Sequence, residues 1–437
     1  MLETLRNAFK IKDVRQRIIF TFMMLIVVRI GCELPVPGVD GSVFKDFFSS
    51  SDGLGFFDAL TGGSFENMSV FALNITPYIT SSIIMQLLTI AIPKLEEMQR
   101  DGEDGRKKIV AITRYVTIAL ALIEAIALTI SFHRGGKLTS NGPAWLSIVM
   151  IITALTAGSA ILMWIGERIT ENGVGNGISI VLTINILSRM PSDISSLFEQ
   201  FVSGKPIARG VVSAIFILAV IVAMVVLVVL LNGAERRIPV QYAKKIQGRK
   251  TYGGQRSEIP LKVNTAGVMP IIFAMSLFQF PIIISQLAGY QGSGAWGKVL
   301  AYLNQSNWCN PNHWNYSIGL LVYILLLIFF AYFYTSITFN PIEIADNMKK
   351  QGGFIPGIRP GKPTSDYLTG ILNYIIFIGA CGLTIIGVLP IFFNGVFGAS
   401  VSFGGTSLII VVSVILETIK QIESQMLVRN YKGFLED

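Results

Sequence analysis

Ten long apolar runs, at 18–34, 70–92, 109–132, 145–165, 177–190, 211–231, 264–288, 317–339, 368–393 and 405–424, divide the chain. Most approach the ~20 residues that a helix needs to cross ~30 Å of hydrocarbon. Backbone in lipid must satisfy its own hydrogen bonds, so runs of this length are read as helices. The expected fold class is therefore an all-α integral membrane protein of ten transmembrane helices. With 52% hydrophobic and only 14% charged residues, the composition leaves no room for an ordinary soluble domain between the spans.

The basic residues give this threading a direction. Of 35 Lys and Arg, 27 fall in segments on the side of the N-terminus (1–17, 93–114, 166–176, 232–263, 340–363 and 420–437) and 8 elsewhere. Positively charged loops stay inside, so both termini are expected in the cytoplasm. The opposite loops carry Asp40, Asp46, Asp52, Asp58, Glu66, Asp193 and Glu199. Residues 1–17 hold five basic residues but lack the small-residue cleavage site of a signal peptide, and read as an amphipathic leader into the first helix.

The sequence offers little to an enzyme. Cys32, Cys309 and Cys381 are far apart, and His133 and His313 are the only histidines, so neither a disulfide framework nor a metal site is expected. No Walker loop or nucleophile elbow is present. The glycines from Gly173 to Gly177 lack a preceding strand and a suitably placed lysine, which makes them a tight turn between helices. No cofactor is expected.

Two basic loops exceed what a connection needs. The first, 232–262, carries Arg236, Arg237, Lys244, Lys245, Arg249, Lys250, Arg256 and Lys262; its apolar-polar alternation and Gly253-Gly254 predict a projecting hairpin. The second, 339–367, contains Asn340-Pro341, a short helix over 342–350, and a Pro-Gly-Ile-Arg-Pro-Gly turn around Arg359. Such charge serves either topology and anionic headgroups, or a docking surface for a large partner such as ribosomal RNA or a cytosolic motor.

Residues 53–69 are too polar to face lipid and, with Phe56, Phe57 and Phe65, too aromatic for a solvated loop. They either fold into a cavity between the helices or lie as an amphipathic helix on the outer surface. The second and seventh apolar runs are unusually polar. The second has Asn74, Thr76, Thr80, Ser81, Ser82 and Gln86, and the seventh Asn264, Thr265, Ser276 and Gln279, with Pro270 and Pro281. Such density marks an interior or interface position, or plain interhelical glue. Intramembrane charge is confined to Arg29, Glu124 and Glu417, fewer than a proton or ion relay generally needs.

Several motifs together carry a resemblance: FALNITPYITSSIIMQLLT at 71–89, GERITENGVGNGIS at 166–179, Tyr242-Ala-Lys with Gln247-Gly-Arg, PLKVNTAGVMP at 260–270, Phe339-Asn-Pro with Ala345-Asp-Asn, PGIRPG at 356–361, and FGGTSL at 403–408. In order and over essentially the whole chain, the sequence resembles the SecY family of protein-conducting channels.

The resemblance implies two pseudo-symmetric five-helix halves around a central pore: an N-terminal half, 1–190, and a C-terminal half, 211–437, joined by an outer hinge loop at 191–210. It implies a plug at about 53–70 that includes Phe56, Phe57, Leu60 and Phe65. A lateral gate between the second and seventh helices would contain Thr80, Gln86, Asn264, Ser276 and Gln279. Alignment of motifs places an apolar pore ring at Ile75, Ile79, Val181, Ile272 and Ile410, and partner docking at Arg249 and Arg359.

The implied function is passage of unfolded secretory chains across the bacterial plasma membrane and sideways release of apolar segments into lipid. Implied partners are SecE-like and SecG-like subunits, a SecA-like motor ATPase, the ribosome, signal peptides and nascent chains. The competing class is a secondary transporter built from inverted repeats, which the scarcity of midplane charge disfavours.

Overall fold

The structure, a computed structural model, describes residues 6, 8–39, 61–134, 143–201, 207–242, 245–247, 250–252, 256–287, 294–309, 314–397 and 405–432. Each of the ten apolar runs contains an α-helix. In chain order the helices are α1 (Lys12–Glu33), α2 (Thr76–Ala91), α3 (Pro93–Arg100), α4 (Glu103–Arg134), α5 (Ala144–Asn172), α6 (Gly177–Phe201), α7 (Ile207–Gly233), α8 (Met269–Leu287), α9 (Ala295–Leu303), α10 (Ile318–Thr338), α11 (Pro341–Lys350), α12 (Lys362–Phe397) and α13 (Gly405–Lys432). Among the described residues five helical segments are long and apolar enough to cross a bilayer unaided. A sixth is the pair α2–α3, which breaks at Ile92 and turns through 106°.

Helix packing sorts into two groups. In the first, α1 packs on α5 and α6, α4 on α2 and α5, and α5 on α6. In the second, α7 packs on α12 and α13, α10 on α8 and α12, α11 on α12, and α12 on α13. The groups meet along two seams, one formed by α6 and α1 against α7 and α13, the other by α4 against α8. The 191–210 segment expected as a hinge loop is mostly helix: α6 runs on through Pro191 to Phe201 and α7 begins at Ile207. Proline inside a membrane helix is tolerated where neighbours re-satisfy the freed carbonyl, which is why Pro191 does not end α6.

The loop hairpin is present. Strand β1 (Glu235–Tyr242) pairs antiparallel with β4 (Arg256–Lys262), from Glu235 opposite Lys262 to Gln241 opposite Arg256. Short strands β2 (Lys245–Gln247) and β3 (Lys250–Tyr252) pair beyond them, between which Arg249 lies outside the described residues, as do Gly253 and Gly254. Ile238 and Val240 alternate inward on β1 and pack with Leu261, Met348, Ile355, Leu368 and Ile375. The second loop joins the same body. Asn340 caps α11 by accepting from the amides of Ile342 and Glu343. Strand β5 (Gly353–Phe354) adds to the β1 edge in the order β4-β1-β5. The two basic loops are thus one structured projection on one end of the helices.

At that same end, Ala8, Val14 and Ile18 of the leader cluster with Val174 and Ile422, placing the glycine turn between α5 and α6 under both chain ends. Thr21 Oγ1 accepts from the Val174 amide at 3.1 Å, and Arg17 donates to the Gly173 carbonyl at 3.3 Å.

Close packing requires glycine at several sites, Gly158 and Gly31 among them. A Cβ at Gly158 of α5 would collide with the Val70 carbonyl, and one at Gly31 of α1 with the Phe71 ring. Backbone cannot yield as a flexible side chain can. Gly158→Leu is therefore expected to cost about 3 kcal/mol, lowering yield and protease resistance of the folded protein, whereas Gly233→Ala, with open space around it, should leave both unchanged.

Candidate functional site

The segment preceding α2 is a fixed re-entrant piece of non-helical backbone. Val36 donates to the Met68 carbonyl at 3.0 Å and Val70 to the Leu34 carbonyl at 2.8 Å, so 34–36 and 68–70 pair as a short ladder. The turns after Thr61 use left-handed backbone at Gly62, Gly63, Met68 and Asn74. Of the two readings left open for this region, described residues 61–75 follow the first: they lie buried among helices, not on a surface. Phe56, Phe57 and Leu60 fall outside the described residues. Phe65 is buried with Met68, Ala72 and Leu73 against Ala121, Ala125 and Phe132 of α4 and Ile151 and Leu155 of α5. It anchors the base of the segment and does not face an open passage, because an aromatic ring with a ready-made cleft between two helices loses water contact most fully there.

Helix α2 begins at Thr76, later than the apolar run suggests, with Ile75 as the residue before it. Asn74 adopts φ 51° and breaks the helix there, a conformation asparagine tolerates better than most residues. Its side-chain oxygen accepts from Asn185 Nδ2 at 3.2 Å, and its carbonyl accepts from Ser159 Oγ at 3.2 Å, tying the segment to α6 and α5.

The five residues expected as a pore ring separate into two environments. Ile75 and Val181 are fully buried in a cluster with Val28, Cys32, Phe71, Leu162, Ile165 and Ile169, on the flank toward α1 and α5. Ile79 packs on that cluster while partly exposed. Ile410 sits in another cluster with Val411, Val414 and Ile186, against which Ile180, Leu187 and Val268 also pack. Ile180 touches both groups. Ile272 of α8 is half-buried, one turn beyond Val268. So Val181 packs toward the flank, while Ile186, with Ile180 and Leu187 beside it, packs against α13. Five helical steps of 100° separate the two positions, enough to point them in different directions. The alternative signal was there in the sequence: Ile180, Ile186 and Leu187 are equally aliphatic, and motif spacing alone does not choose among them.

The expected gate residues divide similarly. Ser81 is buried and donates to the Thr113 carbonyl at 2.8 Å, which fastens α2 to α4. Thr80 is half-buried and bonds back to the Thr76 carbonyl; Gln86 and Ser276 are also half-buried. Gln279 lies on α8, but its side chain is outside what is described. Asn264 precedes α8 and belongs elsewhere. It donates to Asn232 Oδ1 at 2.7 Å, and Asn232 donates to Ser413 Oγ at 2.8 Å, a chain joining α7 and α13 within the second group. Its Nδ2 thus finds a partner inside its own group, while its Oδ1 is buried without one among the described residues. With α2 fastened to α4, the described contact at the front seam is α8 against α4.

On the projection, Arg359 is exposed between Gly357 and Gly361, both with left-handed backbone, and its carbonyl accepts from Thr364 Oγ1 at 2.8 Å. This holds the turn while leaving the guanidinium outward. Arg237 pairs with Glu235 at 2.7 Å and Glu258 at 3.8 Å across the hairpin; the bond to Glu235 holds its proton more firmly than usual. Among the described residues no cluster of His, Cys, Asp and Glu could hold a metal ion.

The sequence profile of the SecY family matches residues 69–419. A protein translocase subunit SecY of Streptomyces scabiei is 44% identical over the full length of both chains. Two solved structures share the fold. One concerns a SecY protein whose plug domain stabilises the closed state of the translocation channel and maintains a membrane seal; it is 17% identical, with a TM-score of 0.62 over 94% of this chain and 92% of that one. The other is Sec61 in a canine ribosome-channel complex, also 17% identical, with a TM-score of 0.61 and the same coverage.

The two environments of the aliphatic residues are separable by chemistry. In a chain whose native cysteines are replaced by serine, Ile186→Cys with Ile410→Cys should be bridged efficiently by a short thiol-reactive linker. Val181→Cys with Ile410→Cys should not.

Proposed function

Because the chain belongs to the SecY family and is a multi-pass protein-conducting channel, we propose that translocating polypeptides pass between its two helix groups, through a constriction of Ile79, Ile180, Ile186, Ile272 and Ile410. The groups correspond to an N-terminal half up to α6 and a C-terminal half from α7. Ile75 and Val181 back this constriction from the flank. The observation that carries the reading is the wholly aliphatic cluster in which α6 and α13 meet across the halves. A hydrophobic constriction dewets and so resists ions, while side chains without fixed polar partners deform around any peptide.

Residues 53–70 act as the plug, and the described residues 61–70 pack among the helices as its root. The α4–α8 seam, flanked by Thr80, Gln86, Ser276 and Gln279, is the lateral gate through which signal peptides and apolar segments reach lipid. Opening proceeds about the α6–α7 side.

The strand-bearing projection faces the cytoplasm, as do both termini, and the membrane is the bacterial plasma membrane. The excess of Lys and Arg at that end supports this orientation. The projection docks the ribosome and a SecA-like motor, with Arg249 and Arg359 as contacts; a Sec61 relative in a ribosome-channel complex supports the first partner. SecE-like and SecG-like subunits brace the exposed apolar flanks. The transporter alternative has no comparable support.

The test places a photoreactive residue at 79, 186 or 272, in proteoliposomes holding the channel with its partners and a secretory chain stalled midway. Adducts are expected at all three positions and only with signal-bearing chains, and weak or absent at 181. Adducts at 181 equal to those at 186 would remove Ile186 from the constriction.

A further inference from the structure

The root of the plug is held to α6 by charge as well as by packing. Arg189 of α6 lies 3.5 Å from Glu66 of the re-entrant segment and 3.6 Å from Asp193, one turn further along α6. All three are substantially sheltered, with side-chain exposures of 21% for Arg189, 34% for Glu66 and 10% for Asp193. A turn of α6 earlier, Asn185 reaches the same segment through Asn74, and its carbonyl lies where a Cβ on Gly62 would be only 2.6 Å away. Two successive turns of one helix therefore grip both ends of residues 62–74.

We propose that Glu66, Arg189 and Asp193 form a reversible ion latch that sets how readily the plug leaves the closed channel. This rests on the reading of residues 53–70 as the plug. Arg189 and Glu66 are positioning residues: neither needs to touch the translocating chain.

The third member explains the reversibility. A lone buried Arg–Glu pair resists separation, because parting leaves a desolvated charge without a partner. Here Asp193 is on the same helix as Arg189, four residues on, and stays beside the guanidinium whether or not Glu66 is present. Withdrawal of the segment then returns Glu66 to water and leaves Arg189 still paired. The latch is strong enough to bias the closed state and weak enough to yield to an inserting signal helix. Because Glu66 retains a third of its exposure, salt should weaken the hold.

The test is ion flux through the purified channel complex in proteoliposomes, at rest, with Glu66→Gln, Arg189→Gln, their double variant and Arg189→Lys, beside deletion of 56–66. Each single glutamine variant should raise the resting leak several-fold and increase passage of a chain with a defective signal sequence. The double variant should be no leakier than either single one, as two members of one interaction are not additive. Arg189→Lys, which keeps the charge, should stay near the parent and shows that position 189 tolerates change. The parent's permeability, its leak divided by ion concentration, should rise with salt, and that of Glu66→Gln should not.

Leak at the parent level in both glutamine variants, or additive leak in the double one, overturns the latch. If the deletion raises the leak while the glutamine variants do not, the plug reading stands and the latch falls. If the deletion also leaves the leak unchanged, the plug reading itself fails.

Discussion

Polar side chains inside lipid hold helices together where apolar ones cannot, because lipid is as apolar as the side chains themselves. The fold depends on where those polar fasteners sit. Ser81 to Thr113, Ser159 to Asn74 and Asn185 to Asn74 join helices of the N-terminal half. Asn264, Asn232 and Ser413 join helices of the C-terminal half. Between the halves, the cluster of Ile186, Ile410, Val411 and Val414 is aliphatic. Each such hydrogen bond contributes only about 0.6–2 kcal/mol, and those named here fall within the two packing groups, the arrangement that the proposed opening between them requires.

The projection obeys different physics. Outside the apolar spans, backbone pairing and a small core of Ile238, Val240, Leu261, Met348 and Leu368 suffice to fold two loops into one body. Capping at Asn340 and the left-handed glycines flanking Arg359 fix the shape of the presented turn. The β1–β5 pairing ties the loop after α7 to the loop after α10, the stiffness that the proposed docking surface requires.

Much of this was legible in the sequence. Length and hydropathy place an α-helix in each of the ten apolar runs, five of which hold a described helical segment long and apolar enough to cross a bilayer unaided. The hairpin follows from alternation and the α11 helix from Asn340-Pro341. Polarity of the second and seventh runs singles out helices in which Ser81 is buried and Thr80, Gln86 and Ser276 are half-buried. What it does not distinguish is gate from glue: Ser81 and Asn264 are both polar, but each is committed to a partner within its own half. The choice between Val181 and Ile186 was equally hidden, since both are aliphatic residues of one helix and only the neighbours reveal which way each points. The two-residue strand β5 has no pattern to read. Glu66 and Arg189 stood in the sequence as one loop acid and one stray base, 123 positions apart, and only the re-entrant path brings them together.

In the proposed opening the halves separate at the α4–α8 seam and stay joined at the α6–α7 side. Two sets of engineered disulfides in the active complex, one between α4 and α8 and one between α6 and α7, test this through transport of a signal-bearing chain before and after reduction. Bridges between α4 and α8 should abolish transport until reduced, while bridges between α6 and α7 should leave most of it intact. Transport that survives an α4–α8 bridge would contradict the account, because the chain would then be crossing by a route that does not require that seam to open.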